Sequence, residues 1–235
     1  MIMDEASQSL TIIVPVLNEA DSVASFLRQL RTSCRQRPEI IVADGGSRDE
    51  TVALARPLCD CVVEAGKGRA LQMNAGARRA SGDILWFVHS DSRLPPQADQ
   101  IILDALAAGS GRWGRFDIQL SGGLPMLRVV ERMMNWRSRL TGIATGDQGL
   151  FVARELFESI GGFPEIALME DIAISRKLKS SGPPLCLPQH LITSSRRWER
   201  DGVLRTILLM WQLRLLYFLG ADPAGLARKY YGDGH

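Results

Sequence analysis

The tightest constraint on this chain is an alternation. Four times, a short apolar run gives way to a helical pattern, and three of those runs end in a polar cluster. Residues 10–17 (LTIIVPVL) are apolar without a break, as in a strand buried on both faces. Asn18-Glu19 follow, and residues 21–31 then carry Val23, Phe26, Leu27 and Leu30 at helical spacing. Residues 39–43 (EIIVA) end in Asp44-Gly45-Gly46-Ser47, ahead of a helix over 50–58. Residues 61–64 make a short third strand, and the loop Ala65-Gly66-Lys67 leads to a helix over 68–80. Residues 83–88 (DILWFV) end in His89-Ser90-Asp91-Ser92, and Pro95-Pro96 open a further helix to Ala108. Strand alternating with helix predicts an α/β fold with a mostly parallel, Rossmann-like sheet and right-handed crossovers. Asn18-Glu19, Asp44 and Asp91 each close a strand, at the edge where open α/β sheets bind ligands. Turn chemistry alone also favours Asp, Asn and Gly in such loops.

The second half is less regular. A strand is expected over 113–120, a helix over 124–140 and a short strand over 150–152 behind Gly146-Asp147-Gln148-Gly149. Helices over 154–160 and 171–179 follow, the second stopped by Ser181-Gly182-Pro183-Pro184. Residues 185–187 and 191–193 read as strand fragments. No repeat or linker is visible, so residues 1–200 read as one domain and 201–235 as its helical extension. A chain of 235 residues, 46% apolar and 23% charged, fits a soluble globular class. A net charge of +2 gives no nucleic-acid footprint. Cys34, Cys59, Cys61 and Cys186 form no CxxC pair and no metal spacing, which fits reduced thiols in a cytoplasmic protein. Residues 1–9 are acidic and polar, unlike a signal peptide.

These pieces, in order, resemble the family 2 glycosyltransferases of the GT-A fold. The matching stretches are IIVPVLNEADSV, IIVADGGSRDET, GRALQMNAGARRASGDILWFVHSD and GGFPEIALMEDIAISRKLK, spanning residues 10–179. GDQGLFV and SSRRWER are similar to a small bacterial branch of that family. The resemblance implies an inverting transfer of a sugar from a nucleoside-diphosphate donor, with uridine or guanosine as the base, to a hydroxyl acceptor. It implies a divalent metal, Mg²⁺ or Mn²⁺, which would neutralise charge on the departing diphosphate.

Residue by residue, Asp91 stands in the DxD place as the expected metal ligand. His89 replaces the first Asp there, as a second ligand or a contact to the donor. Asp44 matches the acid directed at the nucleotide base, and Pro15, Leu17 and Glu19 match the first nucleotide-facing loop. Glu19 would equally suit the first turn of a helix. Lys67 and Arg69 flank a helix start and suit phosphate or base edges, although the glycines fit neither a dinucleotide fingerprint nor a P-loop. Asn74 matches a position flanking the donor pocket, with packing as its other reading. Glu170-Asp171 match the family's ED motif. Asp171 is then the catalytic base that activates the acceptor hydroxyl and Glu170 its rival, whereas an Asp before a helix is also an ordinary N-cap. Asp147 and Gln148 lie on the acceptor side. Arg197 and Trp198 loosely resemble an RW motif, for diphosphate and acceptor respectively; a basic surface turn with a half-buried Trp is the other reading.

Residues 203–219 (VLRTILLMWQLRLLYFL) are apolar around most of a helix, broken by Arg205, Gln212 and Arg214. They fit burial among helices, a subunit contact as in a homodimer, or peripheral docking on the inner face of a membrane. Docking would suggest a lipid-linked acceptor. A nucleotidyltransferase would carry a Gly-rich loop where Asn18-Glu19 stand. A nucleotide-sugar binding protein without turnover is the alternative that His89 raises.

Overall fold

The computed structural model describes residues 8–109 and 111–232, so most of the polar N-terminal stretch lies outside the described residues. The four strand–helix alternations become β1 (Leu10–Val16), α1 (Val23–Ser33), β2 (Glu39–Asp44), α2 (Thr51–Ala55), β3 (Cys61–Glu64), α3 (Arg69–Arg79), β4 (Ile84–Phe87) and α4 (Ala98–Ala107). The rest comprises β5 (Trp113–Leu120), α5 (Pro125–Thr141), a 3₁₀ turn at Gly146–Gln148, β6 (Phe151–Ala153), α6 (Arg154–Ser159), α7 (Glu170–Leu178), a 3₁₀ turn at Lys179–Ser181 and β7 (Leu185–Thr193). Three helices close it: α8 (Arg196–Asp201), α9 (Val203–Phe218) and α10 (Pro223–Tyr231).

The strands form one sheet in the order β3-β2-β1-β4-β6-β5-β7. β1 to β4 are parallel, as the alternation requires, and β6 runs antiparallel to both β4 and β5. Successive residues of a strand face opposite ways. Ile12, Val14, Ile40, Val42, Ile84 and Trp86 therefore pack with Phe26, Leu27, Leu30 and Ile102 of α1 and α4. Ile13, Ile41, Leu85 and Phe87 pack on the other face with Met73, Phe157 and Ile174 of α3, α6 and α7. Both faces being covered explains why these strands are unbroken apolar runs.

Several local expectations change. α4 begins at Ala98, past the two prolines, after Gln97 at a positive φ of 56°. α2 is only 5 residues long. The two strand fragments are one strand, β7, whose register against β5 slips between Phe116 and Asp117. Pro188 falls in the slipped stretch, where a residue without an N–H is tolerated. Arg196-Arg197-Trp198 lie on α8 instead of a turn. α9 is not buried within the chain: only Thr206 and Leu213 are buried, while Leu204, Leu208, Trp211, Leu215 and Phe218 are exposed. Among the described residues no helix is long and apolar enough to cross a membrane. All four cysteines are free, and burial pushes the Cys34 thiol up to about 12.

Polar bolts fix α5 along β5. Asn135 mimics a strand neighbour: its Oδ1 accepts from the Ile118 N–H (2.9 Å) and its Nδ2 donates to the Ile118 carbonyl (3.0 Å). Glu131 accepts from the Leu120 N–H, and Arg128 donates to the carbonyls of Leu120 and Gly122. Fully buried Arg115 pairs with Asp117, which Arg139 of α5 also reaches at 2.6 Å.

The β5–β7 seam leaves no room for a side chain at Gly114, where a Cβ would stand 2.4 Å from the Leu185 carbonyl oxygen and from Phe151. Gly114→Ala should therefore destabilise the protein by about 3 kcal/mol in urea denaturation, through overpacking against backbone. Gly123→Ala, with nothing within 4 Å, should stay within about 0.5 kcal/mol of wild type.

Candidate active site

Parallel pairing aligns the C-terminal ends of β1, β2 and β4, with Val16 opposite Asp44 and Ile13 opposite Phe87. The loops after β1 and β2 are then tied together. The Asn18 N–H donates to Ser47 Oγ (2.9 Å), and Arg48 N–H donates to Asn18 Oδ1 (2.9 Å). The Glu19 N–H donates to Thr51 Oγ1 (2.7 Å), and the Ala20 N–H to Asp49 Oδ2 (3.1 Å). Asn18 holds a left-handed φ of 54°, which Asn tolerates better than most residues. Buried Asp44 accepts from the N–H groups of Gly46 and Ser47 and from Ser47 Oγ, so much of its acceptor capacity organises its own loop. Glu19 accepts from Ser22 Oγ (2.7 Å) ahead of α1. Gln72, which no motif singles out, donates from α3 to the carbonyls of Val16 (2.6 Å) and Ala43 (3.0 Å), pinning both strand ends.

A cleft beside this edge is lined by Pro15, His89, Thr145, Gly146, Glu170 and Asp171, among others. The ED pair enters it by a strained turn. Met169, buried, holds φ at 71°, and Glu170 and Asp171 are the first two residues of α7, one step beyond the N-cap position. Asp171 is tied to the cleft wall: the Gly146 N–H donates to its Oδ2 (3.1 Å), and the Ile172 N–H to its Oδ1 (2.7 Å). The Gly146 turn is itself held by Thr145 and fully buried Gln148, whose Oε1 accepts from the Thr145 N–H at 3.0 Å. His89 at the end of β4 lies across from it, since a Cβ on Gly146 would stand 2.9 Å from His89 Nε2.

Charge is concentrated here. Burial, with Asp171 and Asp147 nearby, pushes the Glu170 carboxyl up to about 7 against the opposing pull of Arg69. Burial raises Asp147 too, with Asp91 and Asp171 adding to the rise and Arg69 and Arg214 opposing it. Arg69, at the first position of α3, stays solvent-accessible but is surrounded by Tyr231, Glu170, Asp147 and Tyr230, which outweigh desolvation and hold its charge. Burial and the Arg69 charge push His89 down to about 3, so its imidazole is neutral. Among the described residues, no three His, Cys, Asp or Glu side chains form a metal cage. The mutual repulsion of Asp91, Asp147 and Asp171 nevertheless suits a cation bound by few side chains, with a ligand's oxygens completing its shell.

Other expected site residues stand elsewhere. Asn74 spends its amide on the backbone of Phe163, donating to the carbonyl (2.9 Å) and accepting from the N–H (3.0 Å), so it clamps a loop. Arg197 lies over the Tyr230 ring (3.6 Å to its centre) and donates to the Tyr230 carbonyl (3.0 Å). Trp198 is half-buried against Leu120, Leu127, Val130 and Ile207, which matches the packing reading of that residue. Lys67 stays exposed on the loop before α3, and Leu17 is half-buried after β1. Tyr230 and Tyr231 border the site without any motif to announce them.

The model of Glycosyl transferase family 2 matches residues 11–144, more than half of the chain. The chain belongs to that family. An uncharacterized glycosyltransferase of Mycobacterium tuberculosis H37Rv is 32% identical over 67% of this chain and 63% of its own length. An undecaprenyl-phosphate 4-deoxy-4-formamido-L-arabinose transferase of Pseudomonas fluorescens Pf0-1 is 27% identical over 59% of this chain and 44% of its own. This glycosyltransferase thus spans about half the length of the curated relatives it matches. A mannosyltransferase from Pyrobaculum calidifontis, solved with GDP-Man and Mn²⁺, shares the GT-A-like fold with a TM-score of 0.61. It is 22% identical, over 80% of this chain and 57% of that one.

The Gly146 wall sets two expectations. Gly146→Ala should leave thermal stability near wild type but cut transfer at least tenfold in a steady-state assay, because His89 or the Asp171 hydrogen bond must shift. Glu170 favours the fold only while protonated, since its carboxyl sits above its ordinary value of 4.5. That contribution is complete below 4.5 and is lost as pH rises through about 7. Glu170→Gln should therefore gain stability over wild type between pH 5 and pH 8, by at most about 3 kcal/mol, and equal differences in melting temperature at the two pH values would contradict it.

Proposed function

We propose that this glycosyltransferase moves a sugar from a UDP- or GDP-linked donor to a hydroxyl acceptor, inverting the anomeric centre. The observation that carries this reading is the convergence of Glu170-Asp171 with the ends of β1 and β4 at one cleft, with the end of β2 paired alongside β1. The tied loops with Asp44, Glu19, Pro15 and Leu17 receive the nucleoside. Arg69, and Lys67 from the loop beside it, face the diphosphate with their positive charge. Asp91 with His89 would hold a divalent ion, Mg²⁺ or Mn²⁺, which when bound supplies neutralisation of the charge that grows on the departing diphosphate. Neutral His89 keeps a lone pair for that role.

The acceptor comes in from the Gly146–Gln148 side, where Asp147 and Gln148 shape the wall. Asp171 takes the acceptor's proton as its oxygen attacks the anomeric carbon opposite the diphosphate, so one in-line displacement inverts the centre. The Gly146 N–H orients the Asp171 carboxylate by occupying one of its oxygens. Glu170, buried beside it, sets the local charge. Residues 1–200 form the transferase unit in this reading and 201–235 extend it. A lipid-linked acceptor at the inner membrane face is supported by the relative named for undecaprenyl phosphate.

Asp171→Asn keeps the shape and the donor site but removes the base. It should bind nucleoside diphosphate as wild type does and lose about a hundredfold or more in transfer. Full turnover by this variant would remove Asp171 from the role. Nucleotide-sugar binding by wild type, with no release of nucleoside diphosphate from any donor, would favour a binding protein instead.

A further inference from the structure

Two helices each carry an exposed apolar stripe. On α5 the side chains of Met126, Val129, Met133, Trp136 and Leu140 recur every three or four residues, and each is between 45% and 66% exposed. On α9, Leu204, Leu208, Trp211, Leu215 and Phe218 repeat that spacing and are between 52% and 66% exposed. The starts of the helices meet through Leu127, Val130 and Met134 against Val203 and Ile207. Near their ends, Arg137 feels the charge of Arg214. The helices thus run side by side in the same direction. At 100° per residue, Met134 and Arg137 lie clockwise of the α5 stripe, and Ile207 and Arg214 anticlockwise of the α9 stripe. Both stripes therefore open to the same side of the pair.

We infer that this α5–α9 face is a docking surface for an anionic lipid bilayer, lying in the headgroup boundary. Charge decides between a bilayer and a second copy of the chain. Residues 124–142 carry four arginines against Glu131 alone, and residues 194–232 carry six arginines and a lysine against three acids. These segments hold a net +7 in a chain whose total is +2. A two-fold contact would press this basic rim against itself, whereas anionic headgroups complement it. Trp136 and Trp211 are amphipathic aromatics of the kind that settle at that boundary, and each helix lies flat for about 25 Å.

The face also adjoins the cleft. Arg137 lies within electrostatic reach of Asp171, and Arg214 within reach of Asp147. Docking would therefore bring the acceptor side of the site to the lipid boundary. This orientation rests on the transferase reading above; the docking itself does not.

The test is co-sedimentation of the full chain with vesicles of phosphatidylcholine alone and of phosphatidylcholine mixed with phosphatidylglycerol, beside size-exclusion with light scattering. The wild type should sediment with the mixed vesicles, less at high salt, and far less with phosphatidylcholine alone. Trp136→Glu with Trp211→Glu, both exposed, should keep the melting temperature and cut partitioning about tenfold or more. Arg132→Glu with Arg205→Glu, also exposed, should weaken binding to the mixed vesicles only. Failure to sediment, partitioning unchanged by the tryptophan pair, or a dimer that this pair turns into a monomer without vesicle binding would overturn the inference. Nucleoside-diphosphate release with a water-soluble acceptor, measured on the same samples, reads the transferase function separately.

Discussion

The parallel register of β1, β2 and β4 decides where the polar groups that follow these strands end up. Because the three strands run the same way and pair without slippage, their last residues share one edge. A chain leaving a fully covered sheet must satisfy its backbone groups at once. Here it does so through side chains: Asn18, Ser47, Asp49 and Thr51 cross-link two loops, and Gln72 reaches from α3 to hold both strand ends. Hydrogen bonds within the chain thus hold the loops that the proposed function gives to the nucleotide.

The other half is assembled under electrostatic tension. Asp91, Asp147, Glu170 and Asp171 gather around one cleft, with Arg69 and Arg214 opposing them. Burial first, and then the neighbouring carboxylates, raise the Glu170 and Asp147 carboxyls. Such an arrangement costs stability and is kept where a ligand's charge completes it. The tight fit of Gly146 against His89 and the left-handed turn at Met169 belong to the same pattern, since both give up local ease to set the direction of a functional group.

Much of the fold was legible because buried parallel strands leave a plain mark, an unbroken apolar run ending in polar residues. The extents of β1, β2 and β4 follow from it to within one residue at each end. β7 read as fragments because Pro188 and a register slip interrupt its apolar pattern. α10 was missed although Asp222 and Pro223 announce it: Asp222 accepts from the N–H groups of Ala224 and Gly225, and Pro223 opens the helix. The carboxylates of the site were legible as motif positions. What those residues bond to was not. Asn74 finds Phe163 across 89 residues, and Asp171 finds Gly146 across 25, through backbone N–H groups that no residue identity encodes. The exposed stripe of α9 was hidden for a related reason. Leu209, Leu213 and Leu216 face inward against α10 and α7, so the helix looks apolar all round and only packing tells its two faces apart.

In the proposed function the tied strand-end loops and Asp91 together receive a nucleoside diphosphate with a divalent ion. Titration calorimetry of the full chain with UDP and with GDP, each with and without Mn²⁺, measures that binding. The expected result is binding of one of the two that strengthens markedly with Mn²⁺ and loses that gain in Asp91→Asn. Absence of binding to both nucleotides, or binding indifferent to Mn²⁺ and to Asp91, would contradict it.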